Sequence, residues 1–281
     1  MSTHFTHWNK ESVYDSIREL AFAFQKSRIL LSAMELDIFT VIGDGAKTSV
    51  NIAKEIKSDE KAVEKLLNAL CGLELIKKTD TTYSVLPETS KYLIKGNKEF
   101  MEDLKFYSNL WDTWSNLTEV IRTGKPFKFN SLNEKSDEWI QDYFNSFHYK
   151  TKQEADEIIK ILKLKNVNSI LELGCGSAQL TIEILKANPH IKAHVMDLPV
   201  ITKLTKENIL KENMENRIEI STGNIFNDNF GKNYDMILLS NVIHEYSVFE
   251  NIELMHKCYE ALNKQGQVVI IERIIDDDRT K

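Results

Sequence analysis

Beyond Lys165 the chain changes rhythm, and that change limits what it can fold into more than any other feature. Short apolar runs at Ser169–Leu173, Ala193–Met196, Ile218–Ser221, Met236–Leu239 and Val268–Ile271 alternate with stretches of helical periodicity. Runs of four or five apolar residues are too short for helices, whereas the segments between them can carry the chain back across a sheet. Such alternation predicts βαβ units on a parallel sheet. It sets a domain boundary near Lys163–Val167 and an α/β domain over residues 165–281.

The preceding half reads differently. Only 10 Gly and 4 Pro punctuate the whole chain, so long helices are expected. From Val13 to Met34 the residues Ile17, Leu20, Phe24, Leu31 and Met34 recur at helical spacing. After a turn at Gly43–Gly45, Thr48 precedes a short helix ending near Ile56, and Ser58 or Asp59 caps a longer one built on Val63, Leu66, Leu67 and Leu70. Two extended pieces, Leu75–Lys77 and Tyr83–Val85, then flank a polar turn. Helix, helix and small hairpin give a winged-helix outline for a domain over residues 1–98. Residues 99–164 read as further helices, broken at Gly124 and Pro126, whose aromatic residues Trp111, Trp114, Trp139, Phe144 and Phe147 are candidates to line a substrate pocket.

Charge and composition exclude several classes. A net charge of −6 argues against a general nucleic-acid binder, which needs excess Lys and Arg to neutralise phosphates. No run approaches the ~20 apolar residues that span a bilayer, so no membrane partner is expected. Cys71, Cys175 and Cys258 form no metal-ligand spacing and are expected to be reduced, which places the protein in the cytoplasm. Asp276–Asp278 reads as a solvated turn, and no metal is expected.

The sharpest local signal is Leu171–Ala178, reading LELGCGSA, between a strand and a helix. Glycines there allow a tight turn and close approach of the backbone to a ligand, and the helix start supplies free N–H groups. Asp197 ends the second strand, where a carboxylate can accept hydrogen bonds from ribose hydroxyls. A dinucleotide fingerprint needs a small residue at position 179, where this chain has Gln179. A cofactor without phosphates fits better, and S-adenosylmethionine is the common one.

At these residues the chain resembles the class I methyltransferases, and more narrowly the small-molecule O-methyltransferases of the plant-caffeate and acetylserotonin type. Phe24–Arg28 and Ala33–Phe39 are similar to that family's dimerisation domain, Glu172–Gly176 to its glycine motif, and Met196–Pro199 to its ribose-binding turn. Gly223–Phe226 is similar to its adenine-contacting turn and Asn241–Tyr246 to its catalytic-histidine segment. The resemblance implies a helical, winged-helix-like dimerisation domain followed by a Rossmann-like α/β methyltransferase domain. It implies a homodimer acting on a small-molecule acceptor with S-adenosylmethionine. It implies that Gly174 and Gly176 approach the methionine portion of the cofactor, with Glu172 shaping that end. Asp197 would hold the ribose, Leu198, Asn224 and Ile225 would lie at the adenine, and Ser240 would lie near its other edge. Relatives have Asp at the position of Asn224, Lys or Arg near Ser240, a third glycine in place of Ala178, and often Met at His148. They also continue past the fifth strand, so the C-terminal strands of the α/β domain are expected to be missing.

His244 carries the chemistry in this reading. A neutral hydroxyl is a poor nucleophile, and histidine is suited to removing its proton near neutral pH. His244 follows the strand Met236–Leu239 at the carboxyl edge, where α/β sheets bind ligands. Glu272 ends the neighbouring strand and can fix the imidazole tautomer. From spacing alone, a loop histidine capping the next helix accounts for His244 equally well; the resemblance implies the general base, flanked by Glu272. Two rival functions stand beside this one. A family member could bind the cofactor and catalyse another reaction or none. A winged-helix DNA-binding regulator is disfavoured because residues 1–95 carry 13 basic and 13 acidic side chains.

Overall fold

The structure, a computed structural model, describes residues 12–125, 127 and 135–276. It divides into two compact units, residues 1–127 and 128–281. Pro126, Asp277 and Asp278 lie outside the described residues.

The first unit opens with α1 (Val13–Glu35), whose N-cap Ser12 accepts a hydrogen bond from the Asp15 amide. Only its second half enters the core, through Leu31, Ala33 and Met34. Ile17, Leu20 and Phe24 are each about half exposed and form an apolar stripe along its first half. Asp37, in the left-handed region at φ 51°, turns the chain into α2 (Ile38–Ile42). Strand β1 (Lys47–Thr48), α3 (Ser49–Glu55) and α4 (Glu60–Gly72) follow, with Thr48 and Asp59 as N-caps. β2 (Ile76–Thr79) and β3 (Thr82–Val85) form a hairpin, and β1 pairs with β3 to give the antiparallel order β1-β3-β2. Ile38, Phe39, Ile52, Leu67, Leu70, Ile76 and Tyr83 are the fully buried centre of this unit. Helices α5 (Pro87–Leu93), α6 (Leu104–Asn109), α7 (Trp111–Ser115) and α8 (Leu117–Thr123) complete it. The aromatic-rich segment is thus interrupted at Leu110 and Asn116 as well as at Gly124, where the left-handed C-cap ends α8.

The second unit begins with α9 (Asp137–Ile161), capped by Ser136. The split into units therefore falls within residues 99–164: α6 to α8 belong to the first unit and α9 to the second. Five parallel strands follow, β4 (Ser169–Leu173), β5 (Lys192–Asp197), β6 (Ile218–Thr222), β7 (Tyr234–Ser240) and β8 (Leu262–Ile271), in the order β6-β5-β4-β7-β8. β8 starts six residues before the apolar run that marks it in the sequence, because its polar first half pairs with Tyr234 through a register shift. Helices α10 (Gln179–Ala187) and α11 (Pro199–Lys211), with Ala155 of α9, share one core with Ile170, Val195, Met236 and Leu238. Helix α12 (Val248–Ala261) covers Leu171, Leu173, Ile237 and Leu239, the alternate residues of the same strands. Burial on both sides of β4 explains its near-continuous apolar run. The sheet order reverses between β4 and β7, and a crevice at such a switch point is where open α/β sheets take ligands.

Arg217 locks the far end of α10. Its guanidinium donates to the carbonyls of Leu185 (3.0 Å), Asn188 (2.8 Å) and Ile191 (2.7 Å), adding to the N–H groups of Asn188 and Ile191 that Leu185 and Asn188 already accept. Arg217→Met is expected to cost about 1.5–3 kcal/mol, measured as a lower urea midpoint at constant m-value. An unchanged midpoint would show that water replaces the guanidinium without loss.

Candidate active site

Five residues turn β4 into α10, and three of them are left-handed: Gly174 (φ 66°), Gly176 (φ 51°) and Ala178 (φ 53°). A Cβ on Gly174 would lie 2.7 Å from Cγ2 of Val242, which follows β7, so this position is closed to side chains by space as well as by φ. At Gly176 the same construction meets nothing within 4 Å. The turn is held from two sides. The Gly174 N–H donates to the Met196 carbonyl (2.9 Å), and the Gly176 N–H donates to Oδ2 of Asp197 (2.7 Å). From α11, the Thr205 hydroxyl donates to the Gly176 carbonyl (2.6 Å), and the Asn208 amide donates to the Ser177 carbonyl (2.8 Å).

Gln179 has a structural task. It is almost fully buried; its Oε1 accepts from Asn208 (3.2 Å) and its Nε2 donates to Glu183 (2.7 Å), tying α10 to α11. No sequence signal marks Thr205 or Asn208, which reach the turn from a helix nearly thirty residues further on.

Carboxylates gather at this turn. Glu172 is 3% exposed, and its Oε2 is buried with no hydrogen-bond partner among the described residues. Burial pushes its pKa up to about 8; nearby Thr181 pulls the other way and the charge of Asp197 adds to the rise. Asp197 also accepts the Leu198 N–H at Oδ1 (2.7 Å). Its pKa is raised by burial, opposed by the Gly176 and Leu198 amides and reinforced by Glu245. Glu245 is raised too, by burial first, with Glu272 adding and His244 subtracting. Tyr143 of α9 responds to Glu245, Asp197 and Tyr246, after burial, and all three raise its pKa. The sequence assigns roles to neither Glu245 nor Tyr143; helical periodicity does not say which face of α9 meets the sheet.

On the other side of the switch point, Ile243–Glu245 forms a 3₁₀ turn after β7. His244 Nδ1 lies 3.2 and 3.1 Å from the two carboxylate oxygens of Glu272, which follows β8. Oε1 of Glu272 also accepts the Ile243 N–H (2.9 Å), which fixes the carboxylate. The Glu272 side chain is 9% exposed and that of His244 is 56% exposed. With Nδ1–H directed at the carboxylate, Nε2 is the acceptor and the free edge of the ring.

Each of the remaining expected residues has its own surroundings. Leu198 is half-buried beside Asp197, and Ser240 ends β7 and accepts from Asn241 (3.3 Å). Asn224 uses its side-chain oxygen to accept the Phe226 (2.9 Å) and Asn227 (3.4 Å) N–H groups, so that oxygen builds the turn. Ile225 is 6% exposed and packs in the core beside Phe230 and Val242. Among the aromatic residues, Phe144 is core, whereas Trp139 stacks on Tyr143 with centroids 5.3 Å apart, and Phe147 meets Tyr143 at a tilt, 4.9 Å away. Trp111 and Trp114 belong to the first unit, Trp111 under the Arg28 guanidinium at 5.5 Å. His148 stacks on Phe144 and faces Lys152, Lys211, Glu183 and Glu212. Among the described residues no group of three His, Cys, Asp or Glu side chains is arranged to hold a metal, and no helix is long and apolar enough to cross a membrane.

Comparison with known proteins adds to this geometry. The O-methyltransferase domain family matches residues 114–281, and the O-methyltransferase dimerisation domain family matches residues 18–95. The chain is 26% identical over 275 residues to 3-hydroxy-5-methyl-1-naphthoate 3-O-methyltransferase of Streptomyces sahachiroi, covering 94% of this chain and 78% of that protein. It is 23% identical over 278 residues to the N,N-dimethyltransferase OxyT of Streptomyces rimosus, covering 94% and 80%. Human N-acetylserotonin methyltransferase, solved in complex with SAM, superimposes with a TM-score of 0.83 at 20% identity, covering all of this chain and 84% of that one.

The buried Glu172 makes stability depend on pH. Its pKa rises from an ordinary 4.5 to about 8 on folding, so its burial is tolerated at acid pH and destabilises the fold progressively as pH rises between those values. Glu172→Gln is therefore expected to melt with the parent chain at pH 5 and several degrees above it at pH 8. Parallel melting curves at the two pH values would contradict the assignment.

Proposed function

This chain belongs to the O-methyltransferase family, and on that premise we propose that it transfers a methyl group from S-adenosylmethionine to a hydroxyl of a small aromatic metabolite, with His244 as general base. The observation that carries the reading is the His244–Glu272 pair standing across the sheet's switch point from the Gly174–Ala178 turn.

The turn fits the cofactor's chemistry. S-adenosylmethionine, when bound, supplies a methyl group on a sulfonium centre, where it is open to in-line displacement. Glu172 offers a buried carboxylate oxygen without a partner, which suits a cationic amino group. Gly176 leaves room at its Cα. Asp197 is oriented by two backbone N–H groups and retains lone pairs for ribose hydroxyls. Leu198, Asn224, Ile225 and Ser240 are assigned to the adenine side of the same crevice.

His244 then moves the proton. Glu272 holds Nδ1–H, so Nε2 accepts the acceptor's hydroxyl proton as the oxygen attacks. The resulting imidazolium is stabilised by the same carboxylate. Glu272 acts through His244 and is a positioning residue. The row of aromatic rings Trp139, Tyr143 and Phe147 supports an aromatic acceptor, as does the naphthoate substrate in one relative's name. A second relative is named for N-methylation, so an amine acceptor is the alternative that the same site would serve.

The first unit serves dimerisation in this reading. Its winged-helix outline carries balanced charge, and the exposed Ile17, Leu20 and Phe24 of α1 offer an apolar face to a second copy. Three free thiols fit a reducing, cytoplasmic setting.

His244→Ala is expected to lower methyl transfer to candidate phenols by about 10²–10⁴-fold, read by mass spectrometry. Affinity for S-adenosylhomocysteine, measured by calorimetry, should stay within twofold of the parent. Unchanged turnover in this variant would remove His244 as the base.

A further inference from the structure

Between β6 and β7 the chain makes a compact loop, and one lysine holds it together. Lys257 of α12 directs its ammonium at three backbone carbonyls, Ile225 (2.7 Å), Phe226 (2.8 Å) and Asp228 (2.9 Å). An ammonium has three N–H donors, and here all three go to one loop. The Phe230 ring lies 5.0 Å from the nitrogen on the same loop. Fixing a lysine side chain costs rotamer entropy, so an arrangement that directs every donor at four consecutive residues marks a built contact.

The loop is braced from within as well. Asp228 Oδ2 accepts the Asn224 N–H (2.7 Å), while Asn224 Oδ1 accepts from Phe226 and Asn227. The Phe226 ring meets Tyr246 edge-on, with centroids 4.7 Å apart. Tyr246 caps the 3₁₀ turn that carries His244. One ammonium thus anchors a loop that touches both the adenine-side residues and the turn of the general base.

We propose that Lys257 is a positioning residue: by gathering the carbonyls of Ile225, Phe226 and Asp228 it sets the shape of the adenine side of the cofactor crevice. The inference rests on the cofactor reading above and adds to it a residue that never touches the cofactor. Removing the ammonium leaves three carbonyls without their common donor and lets the Asn224–Asp228 turn open. The cost then falls on cofactor affinity more than on the fold, because the core face of α12 is held by Leu254, Cys258 and Ala261.

Calorimetric titration of the full chain with S-adenosylhomocysteine tests this. Lys257→Met keeps the apolar stem and removes the donors; it is expected to raise Kd at least tenfold while the stoichiometry stays at that of the parent. Lys257→Arg keeps charge and donors and is expected to remain within about threefold. A purely structural role would lower the stoichiometry through loss of folded protein and leave Kd in place, and that result overturns the proposal. Asp228→Ala opens the same loop from its other side without touching α12. It is expected to weaken binding in the same direction, and it decides the matter if Lys257→Met does not fold; unchanged affinity in it overturns the proposal. If the parent chain does not bind S-adenosylhomocysteine, the cofactor reading itself fails, an outcome distinct from unchanged affinity in the variants.

Discussion

Everything in the second unit depends on how the chain gets from β4 into α10. Three left-handed residues in five make a corner sharp enough to expose amide groups at the sheet's carboxyl edge. One of the three, Ala178, is not glycine, and a left-handed Ala costs about 1–2 kcal/mol. The corner survives because its peptide groups are gripped from both sides, by Asp197 of β5 and by Thr205 and Asn208 of α11. A strained backbone persists where its surroundings over-determine it, and such places gather at functional sites. Val242 then closes the corner from β7, which joins the cofactor side of the crevice to the side of the base.

Charge is arranged around that corner with one sign. Glu172, Asp197 and Glu245 each have a raised pKa, with burial as the leading cause in all three, and each also feels a neighbouring carboxylate. Such a set is costly in a protein alone and becomes favourable when a cation arrives, which suits a ligand carrying both a sulfonium and an ammonium. Glu272 faces the imidazole of His244 and the Ile243 amide.

Much of this was legible in the sequence, and the rest was hidden for physical reasons. The five strands are readable because buried parallel strands are runs of apolar residues, and β4 coincides with its run. The closeness of His244 and Glu272 follows once both are seen to end neighbouring strands. Asp59 and Thr48 cap their helices as side-chain chemistry dictates. Gln179 reads in the sequence as the absence of a small residue, while in the fold it is a buried tie between two helices, because its partner Asn208 is distant along the chain. The first half of β8 has no apolar run to reveal it, since backbone pairing alone places it beside Tyr234. Asn224 reads as an adenine-side residue, and composition does not disclose that its oxygen also builds its own turn. The face of α9 that turns Tyr143 toward the carboxylates is likewise set by tertiary packing.

The histidine–glutamate pair spans the seam between β7 and β8, whereas the grip on the glycine turn comes from β4, β5 and α11. The two are therefore held by different parts of the fold, and loosening β8 would free the imidazole from its carboxylate while the bonds that grip the turn stay made.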